Sequence, residues 1–294
     1  MSAIDTPDTR IFADESRRRQ ASRLTGSLAK HLVLIAGSVV MIIPFVWMLS
    51  TSFKPAIEVL AWPPRLLPLQ PTLANYFAVF EAIPLARFFL NSLIISSVST
   101  VAVVVTSLVA GYVFAKFQFP ARNLLFLLIL ATAIVPFESY MVPFYLQMIA
   151  AKWVNTYQGM IAPYVLMSFG IFLMRQHIAS AIPDEFIDAA RIDGASEWGI
   201  FRQIVVPLST SAMGALGIFA FIQAWAAFIW PLLIANEKAM FNMELGLTAF
   251  QFKFSVDYGP LMAGSVLNVL PMIVAFVILR RQIIESVALT GLRG

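Results

Sequence analysis

Long runs of apolar side chains alternate with short polar segments along this chain, and six of the runs are long enough to cross a bilayer. The first is expected over about His31 to Phe53, with Pro44 inside it, and the second over about Arg87 to Ala115. The third runs from about Leu124 to Met148, the fourth from Gly159 to Met174, the fifth from Leu208 to Ala235 and the sixth from Pro260 to Leu279. The second run is rich in small residues (Ser96, Ser97, Ser99, Ser107, Ala110, Gly111), which let helices approach closely. Between the first and second runs lies a proline-rich segment, residues 54–86, read as an external loop with short helices. Residues 236–258 read as a second external loop. The pattern predicts an all-α polytopic membrane protein with six transmembrane helices, and no internal repeat stands out.

Composition supports this reading. Of 294 residues, 60% are hydrophobic and 12% charged, whereas soluble domains carry roughly 25% charged residues. Too few charges are present to cover a water-facing surface. Cysteine is absent, which excludes disulfides and thiolate chemistry. Two histidines, His31 and His177, are too few for a histidine metal cluster. Net charge is a modest +4, which does not suggest nucleic acid as a partner. Arginines crowd residues 1–27 before the first run, and Arg280 and Arg281 follow the sixth. By the positive-inside rule both termini are expected in the cytoplasm. Residues 1–27 are read as a partly disordered cytoplasmic tail.

The longest charge-rich segment lies between the fourth and fifth runs, from Pro183 to Pro207. Pro183 suits the first position of a helix, and Asp184 and Glu185 then meet its positive end. Gly194 interrupts that helix, and Ala195 to Val206 forms a second one limited by Pro207. The result is helix, bend, helix: a short-armed elbow fitted to docking, or an ordinary solvated loop between membrane helices. Asp188, Asp193, Glu185, Arg191 and Arg202 are placed to pair across it. Two further features stand out within the runs. Glu138, between Pro136 and Pro143, either lies near a translocation path, as intramembrane carboxylates often do, or caps the outer end of its helix. Gln223 and Trp225 offer a donor and an aromatic face to a polar solute, or pack between subunits.

The elbow resembles the Glu-Ala-Ala loop of membrane subunits of binding-protein-dependent ABC importers. Asp188-Ala189-Ala190 matches its opening, with Asp in place of Glu, and Gly194, Ile204 and Pro207 fall at the expected offsets. From about residue 28 to 294 other landmarks follow in order, among them Thr51-Ser52-Phe53-Lys54-Pro55, Asn91-Ser92 and Asn155-Thr156-Tyr157. The resemblance is to the carbohydrate-uptake class and its smaller permease subunit. It implies the type I permease fold, residues 1–27 being a tail, 28–294 the transmembrane domain, 175–207 the coupling loop and 280–294 a cytoplasmic tail. It implies location in the bacterial cytoplasmic membrane and a coupling helix in which Asp188, Ala189, Ala190, Asp193 and Gly194 meet the ATPase subunit. It also implies a second homologous permease subunit, two ATP-binding subunits that carry ATP and Mg, an external solute-binding protein, and a sugar or oligosaccharide as solute. Two departures are visible. Ala226-Ala227 replaces a polar pair, and Arg293 replaces a lysine in the tail that in relatives reaches between the ATP-binding subunits.

No Gly-x-x-x-x-Gly-Lys-Ser/Thr sequence is present, so the chain is expected to bind no cofactor and to catalyse nothing itself. The alternatives are a permease for glycerol-phosphate-type or other small polar solutes, a stand-alone secondary transporter, and a membrane-embedded enzyme. A secondary transporter would call for ion-coupling residues or paired repeats, and an enzyme for a paired carboxylate or activated nucleophile. Neither is evident beyond Glu138.

Overall fold

The computed structural model describes the backbone of residues 7–251 and 256–291, with side chains for residue 27 and residues 30–251 and 256–278. The described residues form helices joined by turns, with a single isolated bridge between Gln251 and Val256. Helix α1 (Pro7–Ser52) is followed by a short α2 (Ala56–Val59), then α3 (Ala74–Ala82) and α4 (Leu85–Lys116). Helices α5 (Arg122–Thr132) and α6 (Phe137–Ala150) meet at a bend of 95°. Helix α7 (Tyr157–Ile161) continues as one turn to Tyr164 and bends by 50° into α8 (Ser168–Ala181). The helices Lys30–Ser52, Leu85–Lys116 and Tyr258–Ile278 are each long and apolar enough to cross a membrane, and each of three bent pairs passes the same test together. Counted as one span apiece, the bent pairs bring the total to six.

The expected runs and the observed helices differ in instructive ways. The third run is broken rather than continuous because Pro136 sits in extended backbone (φ −60°, ψ 139°) as the cap of α6. Proline there can donate nothing to the preceding turn. The helical backbone of α1 begins at Pro7. Residues 236–258 are not a simple loop. Met240, Asn242, Met243, Leu245, Leu247 and Phe250 are all buried, folded into the short helix α14 (Met243–Leu247) and its flanking turns.

The bundle is organised around α4, which packs along α8 and along α12 (Thr210–Trp225). Small side chains of the second run are buried along α4, among them Ser92, Ser96, Ser99 and Ser107. At Gly111 the two helices approach closely enough to bring backbone into contact. A Cβ there would lie 2.7 Å from Met174 Cβ and 2.9 Å from the backbone N of Arg175. Arg175 fastens the same interface, donating from Nε to Phe114 O at 3.2 Å and stacking its guanidinium 4.0 Å from the Phe126 ring centroid. The last helix, α15 (Tyr258–Gly291), packs on α1, α3 and α12.

The end of α1 is locked by Lys54, which is 2% exposed. Its Nζ donates to Arg65 O at 2.7 Å and lies 4.3 Å from the Trp47 ring centroid. Burial holds the Lys54 ammonium below its usual pKa, against the opposing pull of Glu58. Asn75 closes the corner by donating to Ser52 O and Lys54 O.

Gly111→Val is expected to lower the melting temperature of the purified chain by several degrees, since overpacking costs about 1–3 kcal/mol and the backbone of α8 cannot yield. Gly37→Val, where no atom lies within 4 Å of the added Cβ, is the control and should leave melting unchanged. Equal melting for the two variants would show that α4 and α8 are not held this closely.

Candidate functional site

The elbow is built from α9 (Asp184–Ile192), the turn at Gly194, α10 (Glu197–Ile200) and α11 (Val206–Leu208). Pro183 caps α9 in extended backbone, with Asp184 and Glu185 in the first turn. Gly194 has φ +83°, the left-handed region, with nothing within 4 Å of where a Cβ would be. It is therefore required by backbone conformation and not by space. The Ser196 side chain accepts from Gly199 N and caps α10. Pro207 does not end the second arm. A wide π-helical turn at Phe201–Val205 precedes α11, a local widening that suits a proline with no N–H to give. The break falls at Ser209, where the chain turns by 75° into α12.

Helix α9 buries one stripe and shows the other. Ile187 is buried and Ala190 is half-buried against the cluster that holds Tyr112, Met174, Ile178, Ile182 and Ile200. Phe186, Asp188, Ala189, Ile192, Asp193 and Gly194 are exposed, Ile192 to 86%. Of the two small residues, then, only Ala189 belongs to the outward face, while Ala190 belongs to the chain's own packing. Trp198 on the second arm is also exposed and stacks on Phe201 at 5.3 Å.

Three side chains outside the motif fasten the elbow to the bundle. Lys116, in the last turn of α4, donates to Ile182 O and pairs with Asp184. One turn earlier, Tyr112 OH donates to Glu197 Oε2 at 3.0 Å. Glu197 also accepts from Arg191 Nε at 2.8 Å, and Arg191 reaches back to Asp188 at 3.2 Å. The hydrogen bond that it donates to Glu197 is the main influence holding the Arg191 guanidinium above its usual pKa. The expected pairing thus occurs for Arg191 and Asp188, while Glu185, Asp193 and Arg202 join no ion pair among the described residues. Tyr112, Lys116 and Glu197 were not expected from the sequence to hold the elbow; the one signal there is that Tyr112 and Lys116 stand four residues apart, on one face of α4.

The other singled-out residues lie apart from the elbow. Glu138 is exposed in the first turn of α6, just past the 95° bend. Gln223 is exposed on α12. Trp225 ends α12 and is 0% exposed. Its ring lies between Phe221 (stacked, 5.6 Å) and Phe89 (edge-on, 5.7 Å), and Nε1 donates to Asn268 Oδ1 at 2.9 Å. Its aromatic face is thus covered by this chain's own side chains. Ala227 O accepts from Asn242 Nδ2 at 2.7 Å, so after Trp225 the chain leaves the helix and α13 (Ile229–Ile234) starts anew. The fifth run is therefore two helices. His177, half-buried, lies 3.2 Å from Leu208 O. Arg293 lies outside the described residues. No group of three or more His, Cys, Asp or Glu side chains able to hold a metal occurs among the described residues.

A helical bundle with this elbow at one end defines a membrane transport subunit. The family model described as the inner-membrane component of binding-protein-dependent transport systems matches residues 107–284, and the chain belongs to that family. It is 34% identical over 256 residues to the arabinooligosaccharides transport system permease protein of Halalkalibacterium halodurans, covering 86% of this chain and 91% of that one. It is 31% identical to the diacetylchitobiose uptake system permease protein of Streptomyces coelicolor, covering 88% and 86%. The sn-glycerol-3-phosphate transport system permease protein of Brucella abortus is 28% identical, covering 91% and 98%. Among solved structures, a chain of a bacterial ABC transporter involved in the import of the acidic polysaccharide alginate superposes with a TM-score of 0.74 at 18% identity, covering 95% and 99%. It shares the fold.

Three substitutions separate the roles within the elbow. Ala189→Trp should leave the melting temperature of the purified chain unchanged, because its side chain points outward. Ala190→Trp should lower it, at a cost of about 1–3 kcal/mol. Gly194→Val should cost about 1–2 kcal/mol through backbone strain alone, and Gly194→Asn less, since Asn tolerates the left-handed region. Identical melting for the two alanine variants would contradict the assigned faces.

Proposed function

We propose that this chain is the permease subunit of an ATP-driven importer that moves a sugar or oligosaccharide across the bacterial cytoplasmic membrane. The observation that carries the proposal is the exposed face of α9, with Phe186, Ala189 and Ile192 presented on an elbow already fixed in shape. Exposed large apolar side chains grouped at one end of a bundle mark an interaction surface, and a preformed surface loses less freedom on binding. The relatives named above, permeases for arabinooligosaccharides and diacetylchitobiose, support a carbohydrate as the solute.

In this reading the elbow end faces the cytoplasm with both termini, and α9 docks on an ATP-binding subunit through Asp188, Ala189, Asp193 and the turn at Gly194, with Ala190 seating the helix from behind. Two such subunits carry ATP and Mg. A second, homologous permease subunit completes the membrane pathway, and an external binding protein delivers the solute. Glu138 and Gln223 are proposed for the path, with Trp225 supporting it from inside the chain, and Arg293 for a contact between the ATP-binding subunits. Closure of the ATPase dimer pushes on the elbow. Through Lys116 and Tyr112 the push reaches α4, and the helices swing between inward-open and outward-open states.

Reconstituted complexes carrying Ala189→Trp should assemble poorly with the ATP-binding subunits, or lose ATP hydrolysis stimulated by the loaded binding protein, at matched subunit ratios. Normal stimulated hydrolysis and uptake would reduce the elbow to a solvated loop. Orientation is checked with Ser196→Cys in this cysteine-free chain. A membrane-impermeant thiol reagent should label it in inverted vesicles and not in sealed cells.

A further inference from the structure

The chain does not simply leave the membrane where α1 ends. The apolar stretch Lys30–Ser52 of that helix is about 34 Å long at 1.5 Å per residue, against a hydrocarbon core of about 30 Å, so Ser52 stands at the membrane boundary. Residues 65 and 66 are then drawn back to the last turns of the same helix. Ser50 Oγ donates to Leu66 O, Lys54 Nζ donates to Arg65 O at 2.7 Å, and that Nζ also lies 4.3 Å from the Trp47 ring centroid. Two further bonds close the loop: Leu69 N donates to Glu58 Oε2 at 2.9 Å, and Thr72 N donates to Phe53 O at 2.9 Å. The segment between α1 and α3 therefore has a set shape, and it doubles back to the level of the end of α1.

That shape displays apolar side chains. Ile57 is 85% exposed and Trp62 90%, and Leu60, Leu66, Leu67 and Leu69 are exposed as well. Leaving them in water forgoes about 25 cal/mol per Å² of apolar area, and a group of this size marks an interaction surface. Little charge opposes its burial. From residue 53 to 80 the charged residues are Lys54, Glu58 and Arg65; Lys54 is buried and Glu58 is engaged by Leu69 N. The carbonyls of residues 65 and 66 already have donors in Lys54 and Ser50, as backbone beside lipid requires. The apolar surface also continues down α1, where Met41, Phe45 and Leu49 are exposed on the stretch that crosses the membrane. This continuity selects lipid as the occupant. Tryptophan favours the headgroup level, and Arg65, which is exposed, suits a phosphate oxygen.

We propose that residues 57–69 form an interfacial anchor. Ile57, Leu60, Trp62 and Leu67 enter the boundary between headgroups and acyl chains at the end of α1, and Arg65 meets a phospholipid phosphate. The anchor fixes the depth of α1, as aromatic and basic residues at the interface do for membrane helices.

The test uses the full transport complex, with cysteine-free partner subunits, in nanodiscs of phosphatidylethanolamine and phosphatidylglycerol. Spin labels are placed at Leu60→Cys and, separately, at Leu67→Cys, both of which keep Trp62. Lys152→Cys, exposed in the turn after α6, is the water-facing control. The ratio of collisions with oxygen to collisions with a water-soluble nickel chelate should be several-fold higher at both loop positions than at the control, placing the labels within about 5–10 Å of the headgroup boundary. Nickel collisions at either loop position as frequent as at the control would make the segment a solvated loop. Protection from both reagents in the complex would assign the surface to the partner permease, and protection seen only with the binding protein present would assign it to that protein. Each of these three results would overturn the lipid anchor and leave the permease reading standing.

Discussion

The structure depends on how closely α4 can be approached. One helix of about 48 Å, at 1.5 Å per residue, runs the depth of the bundle and is contacted by α8 and α12 along its length. Inside a membrane there is little hydrophobic gain from bringing helices together, so small residues that allow close van der Waals contact decide the packing. Gly111 against the backbone of Arg175 is the tightest such point on the elbow side. With α8 seated there, Arg175 is placed over Phe126, and α5 is drawn in as well.

Both ends of α4 then do work that its middle makes possible. In the last turns, Tyr112 and Lys116 hold Glu197, Asp184 and Ile182. In the first turns, Asn91 donates to Ala239 O and Phe241 O, and Ser92 accepts from Met243 N. The elbow and the α14 segment are therefore fastened to opposite ends of the same rigid element. The Arg191 ion pairs at the elbow are exposed, and each is worth little on its own. Its shape owes more to Ile187, whose full burial contributes about 1.5–3 kcal/mol, and to the left-handed turn at Gly194.

The polar residues of the other end answer a different constraint. Where the chain leaves helical geometry, at 226–228 and again at 235–237 and 241–242, its backbone groups need partners in a setting that offers few. Asn242 supplies two, bonding Ala227 O and Leu245 N. Asn91, Ser92 and Asn268 supply others. The alanine pair at 226–227 fits this arrangement: Ala227 is buried and contributes its carbonyl, not a side chain.

Much of this was legible in the chain itself. Apolar runs of membrane-spanning length fixed the class, because a chain with so few charges has no other way to cover its surface. Pro183, Asp188-Ala189-Ala190 and Gly194 marked the elbow, because caps, small residues and left-handed turns are local requirements carried by single residues. Local rules did not reveal where runs would break. Pro136 breaks the third run while Pro44 lies inside α1 and Pro207 within α11, since the outcome depends on what neighbouring helices offer the freed backbone groups. Nor could they separate Ala189 from Ala190, whose faces are set by how α9 lies on the core. The partners of Glu197 and Glu244 are far away in sequence: Tyr112 is 85 positions from Glu197, and Asn268 is 24 from Glu244. A hydrogen bond needs two groups at one point in space, and only the packed helices bring these side chains there.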